Sequence, residues 1–154
     1  MKKLLLFVLV AMLAIPVTAQ SVVGQKKGRV PSEKKASIAV GFMNGGGGLV
    51  GVDFEYLISQ HLGVQGGIGF VSYGGALNYH FKPYINSSMV SLAYFHQGIG
   101  NSYTYSWVGP LYTFRAPKIF QASIGYGICV GQGPAVTEAY SGTLIYNIGL
   151  YFPI

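Results

Sequence analysis

Charge is what this chain has least of. Acidic and basic residues together make up 9% of its 154 residues, against about 25% in an ordinary soluble domain. So few charges cannot cover a fold with a water-facing surface, which excludes the usual soluble globular domain. Long apolar runs are missing too. Past the N-terminus no unbroken stretch reaches the roughly 20 residues of a membrane-spanning helix, so a helical membrane protein is excluded as well. Cys129 is the only cysteine, which rules out an intrachain disulfide and a zinc-type cysteine cluster. Basic residues are few and poorly distributed for binding nucleic acid. The formal charge of +6 comes largely from Lys2 and Lys3 at the N-terminus and from Lys26, Lys27, Arg29, Lys34 and Lys35 in one short segment. No nucleic-acid partner, metal or cofactor is expected.

What the chain does have is apolar residues (51%), aromatics (14%) and 23 glycines, set out at a period of two. Thr143 to Ile154, TLIYNIGLYFPI, shows the pattern most clearly. Leu144, Tyr146, Ile148, Leu150, Phe152 and Ile154 alternate with a smaller and more polar set. That period belongs to a strand with two unlike faces.

The first 19 residues read as a cleaved signal peptide. Lys2 and Lys3 form a positive start, Leu4 to Ile15 an apolar core, and Val17-Thr18-Ala19 a small-residue cleavage site. Residues 20–35 are basic, polar and without periodicity, with Glu33 as the single acid. This composition predicts a disordered tail.

From Ala36 the alternation predicts eight strands: Ala36 to Met43, Leu49 to Leu57, Leu62 to Val71, Ala76 to Phe81, Ser88 to His96, Tyr103 to Arg115, Ile119 to Val130 and Thr143 to Ile154. The glycine run Gly45 to Gly48 lacks the Lys-Ser/Thr of a phosphate loop and reads as an exposed turn. Turns are also expected at Ser72 to Gly75, Lys82 to Ser87 and Gly98 to Ser102, with the longest loop at Gly131 to Ala139. Pro110 falls inside the sixth strand, where it predicts a bulge or register shift.

Short connections make neighbouring strands pair as hairpins. The expected fold is therefore all-β: an eight-stranded antiparallel up-and-down transmembrane β-barrel over residues 36–154, following the cleaved leader. A lumen of this size is just wide enough for side chains to fill. The apolar parity, with Phe54, Tyr56, Tyr79, Phe81, Phe114, Phe120, Tyr126, Tyr146 and Phe152, would overfill it. The other parity, rich in Gly, Ser, Ala, Asn and Gln, fits. The apolar face is thus expected to meet lipid, with aromatic girdles at both ends. One girdle would hold Tyr56, Phe81, Phe114, Phe120 and Phe152, and the other Phe42, Phe70, Tyr94, Tyr105 and Tyr140.

On these grounds the chain resembles the small outer-membrane β-barrel proteins of Gram-negative bacteria, the class of OmpX and the OmpA barrel, over residues 36–154. Asn147, Gly149, Phe152 and Ile154 match that class's C-terminal insertion signal, with Ile154 where Phe is usual. The resemblance implies an outer-membrane location with periplasmic termini. It also implies outer-membrane lipid and lipopolysaccharide as surroundings, the barrel assembly machinery as partner during insertion, and a monomer.

Asp53, Glu55, His80 and Arg115 are the ionisable residues expected in the lumen. Buried charges persist only when paired, so they predict a structural network with Arg115 bridging Asp53 and Glu55. On the outer parity stands His96. Outer-membrane lipid A deacylases place a His and a nearby Ser on such a face, but here Gln97 and Gly98 follow His96. No catalytic residue is therefore assigned. The expected role is structural, or binding through the outer loops, around a filled lumen. The alternatives are an outer-leaflet lipid-modifying enzyme and a narrow, porin-like solute channel.

Overall fold

A strand whose two faces differ this sharply must place one face against like material and the other elsewhere, and a sheet closed on itself does so without leaving an edge. The computed structural model, which describes residues 32–137 and 140–154, is such a closed sheet. The expected leader and most of the expected tail lie outside the described residues. Within them, Lys35 already accepts a main-chain bond from Leu57 N at 2.7 Å, one residue before the expected domain start.

The strands are β1 (Ala36–Phe42), β2 (Val50–Leu57), β3 (Leu62–Gly69), β4 (Ser72–His80), β5 (Met89–Ile99), β6 (Tyr103–Arg115), β7 (Phe120–Gln132) and β8 (Gly142–Pro153). Each pairs antiparallel with the next, and β8 returns to β1 with Ile38 opposite Phe152 and Val40 opposite Leu150. The fold is an all-β, eight-stranded, up-and-down barrel. Both termini of the sheet, and the β2–β3, β4–β5 and β6–β7 turns, lie at one end. The other four turns lie at the far end. At the β1–β8 seam the backbones come close. A Cβ on Gly41 would lie 2.3 Å from the Ile148 carbonyl oxygen and 2.5 Å from Gly149 Cα. Among the described residues no helix is long and apolar enough to cross a membrane, a statement that concerns helices alone.

Three features depart from the sequence expectation. First, Ser72 to Gly75 are strand, not turn: β4 begins at Ser72, and Gly74 and Gly75 pair with Gly67 and Gly66. Second, β5 and β7 each run further than expected, to Ile99 and Gln132. Third, Pro110 causes no register shift. The β6–β7 ladder skips Gly109 and Pro110 and resumes in the same register, Val108 with Ile128 and Leu111 with Gly125. Gly109 lets the β7 backbone approach there, since a Cβ on it would lie 1.9 Å from the Tyr126 carbonyl oxygen. The irregularity falls instead between Ser106 and Trp107, where Ser106 opposes Gly131, Trp107 opposes Cys129, and Val130 is the extra residue of a bulge.

The two parities separate as the chemistry requires. Val52, Phe54, Leu77, Leu92, Ile124, Leu144 and Leu150 are exposed on the outer wall. Ser37, Glu55, Asn78, His80, Thr113, Arg115, Gln121 and Ser123 are buried in the lumen. The lumen is not uniformly polar. Ala93, Phe95, Trp107, Leu111 and Ile145 form an apolar cluster inside it, and Tyr105, expected in the outer girdle, stacks inward on Trp107 at 5.3 Å. Glycine makes room for these large side chains. A Cβ on Gly127 would lie 2.6 Å from Ile145 Cδ1 and 3.1 Å from Trp107 Cβ, and one on Gly74 would lie 3.3 Å from Phe95 Cδ1.

Candidate functional site

Ionisable side chains in a lumen sealed from water must find partners there. At the termini end, Glu55 on β2 gathers several. Arg115 Nη1 on β6 lies 2.7 Å from Glu55 Oε2, and His80 Nε2 on β4 lies 2.8 Å from Oε1. Asn78 Nδ2 donates to the same Oε1, and Ser37 Oγ donates to Oε2 at 3.3 Å. The guanidinium is held from all sides. Its Nε donates to Gln121 Oε1 at 3.2 Å, Nη2 to Ser37 Oγ at 3.4 Å, and Nη1 to the Ile85 carbonyl. The Tyr151 ring lies under it, 4.8 Å from centroid to Cζ, a cation–π arrangement. Ile85 belongs to the β4–β5 turn, which folds inward, so that Ile85, Asn86 and Ser87 are buried. Side chains from β1, β2, β4, β6, β7 and β8, with this turn, close the termini end.

Asp53 makes no ion pair with Arg115 and is linked to the cluster through Gln65, whose Oε1 accepts from Asn78 Nδ2 at 3.0 Å. The sequence expectation has Arg115 bridging both carboxylates; in the structure Arg115 lies against Glu55, and the Asp53 carboxylate is turned to Gly45. Its two carboxylate oxygens accept the Gly45 N–H at 3.2 and 3.1 Å. The glycine run is likewise not an exposed turn. Asn44–Gly47 folds back into the barrel, with Asn44, Gly45 and Gly46 buried. Gly45 O accepts from Ser72 Oγ at 2.6 Å. Gly47 O accepts from Gln97 Nε2 at 2.8 Å, and Gln97 Oε1 accepts from Trp107 Nε1 at 3.1 Å. Glycine is required here on two counts. Gly45 and Gly46 have φ of 65° and 78°, and a Cβ on either would lie 2.1 Å from a main-chain oxygen, that of Ile68 or Tyr73. Between the two stoppers is a cavity of about 20 Å³, with Asn44, Asp53, Gln65, Ser91, Ser123 and Asn147 in its lining.

The remaining singled-out residues lie on β8 and just after it. Asn147 is buried in the lumen, Gly149 packs against the Gly41 backbone, and Phe152 and Ile154 are exposed on the outer wall. They form no joint site with the lumen network.

One arrangement on the outer wall went unassigned in the sequence. His96 on β5 pairs across the hairpin with Ser106 on β6, and Nδ1 lies 2.9 Å from the serine oxygen. The Tyr94 hydroxyl donates to the same oxygen at 3.3 Å, and the Tyr73 ring stacks on the imidazole at 4.7 Å. Along its own strand His96 is followed by Gln97 and Gly98, not by a serine. The partner comes from the neighbouring strand, and the hairpin register is the signal that would have found it.

Among the described residues no group of three or more His, Cys, Asp and Glu side chains is placed to hold a metal ion. Compared with known proteins, the chain matches no family model, no curated protein and no solved structure.

Proposed function

We propose that this chain is an integral outer-membrane β-barrel of the small eight-stranded class that includes OmpX and the OmpA barrel. In this reading its role is structural or loop-mediated binding, its termini are periplasmic, and it works as a monomer surrounded by outer-membrane lipid and lipopolysaccharide. The observation that carries the reading is the inversion of polarity. Large apolar side chains stand exposed on the outer wall of all eight strands, while an Arg–Glu–His cluster is buried inside. A barrel in water has the opposite demand, with apolar residues inside and charge outside. In lipid, a closed sheet with an apolar outer band is one of the few permitted solutions.

The asymmetric exposure of β8 supports its role as the segment read by the barrel assembly machinery. Asn147 faces the lumen, and Phe152 and Ile154 face outward. The inward turns at both ends weigh against the channel reading.

Fractionation combined with heat-modifiable gel mobility tests the proposal. The chain is expected in the outer-membrane fraction, migrating faster before boiling than after. Recovery as a soluble protein with heat-insensitive mobility would overturn it. Planar bilayers containing the purified barrel are expected to stay silent, and steady unitary conductance would restore the channel.

A further inference from the structure

We propose that His96 and Ser106 form a nucleophilic dyad that cleaves carboxylic esters of long acyl chains presented from the surrounding bilayer. The substrate half of this inference rests on the membrane reading above. The dyad itself rests on geometry.

A serine hydroxyl is a poor nucleophile until a base within hydrogen-bond reach takes its proton. His96 Nδ1, 2.9 Å from Ser106 Oγ, is at that distance. The imidazole is kept in place by the Tyr73 ring stacked on it. Ser106 sits directly at the Val130 bulge, and bulges are a common means of re-aiming a side chain beside a reactive site. Tyr94 supplies a neutral O–H donor at the same oxygen, available to the substrate carbonyl as negative charge develops on it.

The wall beneath the dyad is shaped for a chain of methylenes. Tyr94 and Val108 form the next pair on the same face toward the termini end. With Val64, Gly75, Leu77 and Leu92 they line an open groove of about 420 Å³, within the roughly 300–1,000 Å³ typical of small-molecule pockets. Gly75 and its partner Gly66 leave the dent, and a Cβ at Gly66 would meet nothing within 4 Å. The occupant we assign is one acyl chain, because the groove ends at Tyr94 and Val108, the pair next to His96 and Ser106, and its lining is almost wholly apolar.

In the reaction, Ser106 Oγ attacks the ester carbonyl carbon as its proton passes to His96 Nδ1. The tetrahedral adduct collapses, the alcohol leaves with that proton, and the acyl group stays on Ser106. Water then attacks the acyl-serine, His96 takes the proton from water and returns it to Ser106, and a fatty acid departs. Among the described residues no carboxylate is paired with His96. Neutralising the orienting aspartate of a full triad costs about 10⁴ in kcat, so turnover here is slow and covalent labelling is the sharper measurement.

The full chain, folded in detergent, would be treated with a fluorophosphonate probe and mapped by mass spectrometry. Labelling is expected at Ser106, to be lost in Ser106→Ala, and to slow by about 10²-fold or more in His96→Gln. Both variants should keep the wild-type heat-modifiable shift. Vesicles of radiolabelled glycerophospholipid and, separately, of acyl-labelled lipopolysaccharide would show which lipid releases fatty acid. Val108→Trp, which fills the groove, should cut release of long chains by more than it cuts hydrolysis of p-nitrophenyl acetate. A folded, membrane-recovered wild-type protein that takes no label at Ser106 and releases no acyl chain would overturn the dyad. Labelling of a chain that fractionates as soluble would instead keep the dyad and remove the lipid. Equal loss of both ester activities in Val108→Trp would remove the groove assignment.

Discussion

The two ends of the lumen are closed by different materials. At the termini end the stopper is side chain: Arg115, Glu55, His80 and Tyr151 converge from four strands, and a turn tucks Ile85 beneath them. At the far end the stopper is main chain: the glycine run enters the barrel, with the Gly45 peptide groups held by Asp53 and Ser72 and the Gly47 carbonyl by Gln97. A side-chain stopper depends on charge balance, because each ion has been taken out of water and is tolerable only beside its partner. A main-chain stopper depends on the absence of Cβ atoms, because peptide groups approach the wall more closely than any side chain would allow. The first kind fails through electrostatics, the second through sterics.

The largest expected effect falls on the charged end. Arg115→Leu leaves the Glu55 carboxylate with His80, the Asn78 amide and the Ser37 hydroxyl, and without its cation. It should destabilise the barrel by about 3–5 kcal/mol, read as a lower midpoint in urea or in heat-modifiable mobility. An unchanged midpoint would mean that the arginine is not the counter-ion that matters. At the far end, Gly45→Val places a β-branched residue at φ 65° against the Ile68 carbonyl. The expected cost is about 1–3 kcal/mol, and the loop at residues 44–48 should become newly open to limited proteolysis while the charged end is undisturbed. If the variant resists protease as the wild type does, the loop is not held by the lack of Cβ atoms.

Asp53→Asn keeps an acceptor for the Gly45 amide but removes its charge, at about 1 kcal/mol. A loss as large as that from Arg115→Leu would place Asp53 in the charged network after all. Tyr151→Phe removes the hydroxyl that donates to the Ala116 carbonyl at 2.7 Å and leaves the ring under the guanidinium. It should cost no more than about 1 kcal/mol. A greater loss would mean that the hydroxyl, and not the ring, anchors Arg115.

The same contrast marks what could be read from the residues. Alternation along β7 and β8 identified strands, and aromatic bulk identified the outer face, because both follow from local periodicity and volume. Glycine misled twice. At Gly74 and Gly75 it read as a turn, although it faces other glycines across a ladder. At Gly45 to Gly48 it read as an exposed turn, although it is buried. In each case glycine's role is set by what approaches it from elsewhere in the chain. Asp53 and Glu55 share a face of β2, two residues or about 7 Å apart along the strand, and only the stagger of β6 against β2 decides which one Arg115 reaches. That stagger is a property of the whole closed sheet. Phe95 and Trp107 are inside for a related reason, since Gly74 and Gly127 on the neighbouring strands provide the space. The His96–Ser106 pair depends on a single hairpin register, the most local of these quantities, and so lay closest to being legible.

The glycine-lined seam between β1 and β8 bears on time as well as shape. Seven of the eight ladders join strands that follow one another directly, whereas the eighth joins the first strand to the last. Loop-closure entropy makes that contact the slowest to be rewarded, so it sets the pace of assembly and comes last in its order. Until then β8 keeps an unpaired edge. β1, the shortest strand at seven residues, forms the short final step, and Gly41 against Gly149 lets the backbones meet without first interlocking side chains. In a Cys129→Ser background, a cysteine pair at Val40 and Leu150 should therefore cross-link later during refolding than one at Leu77 and Leu92.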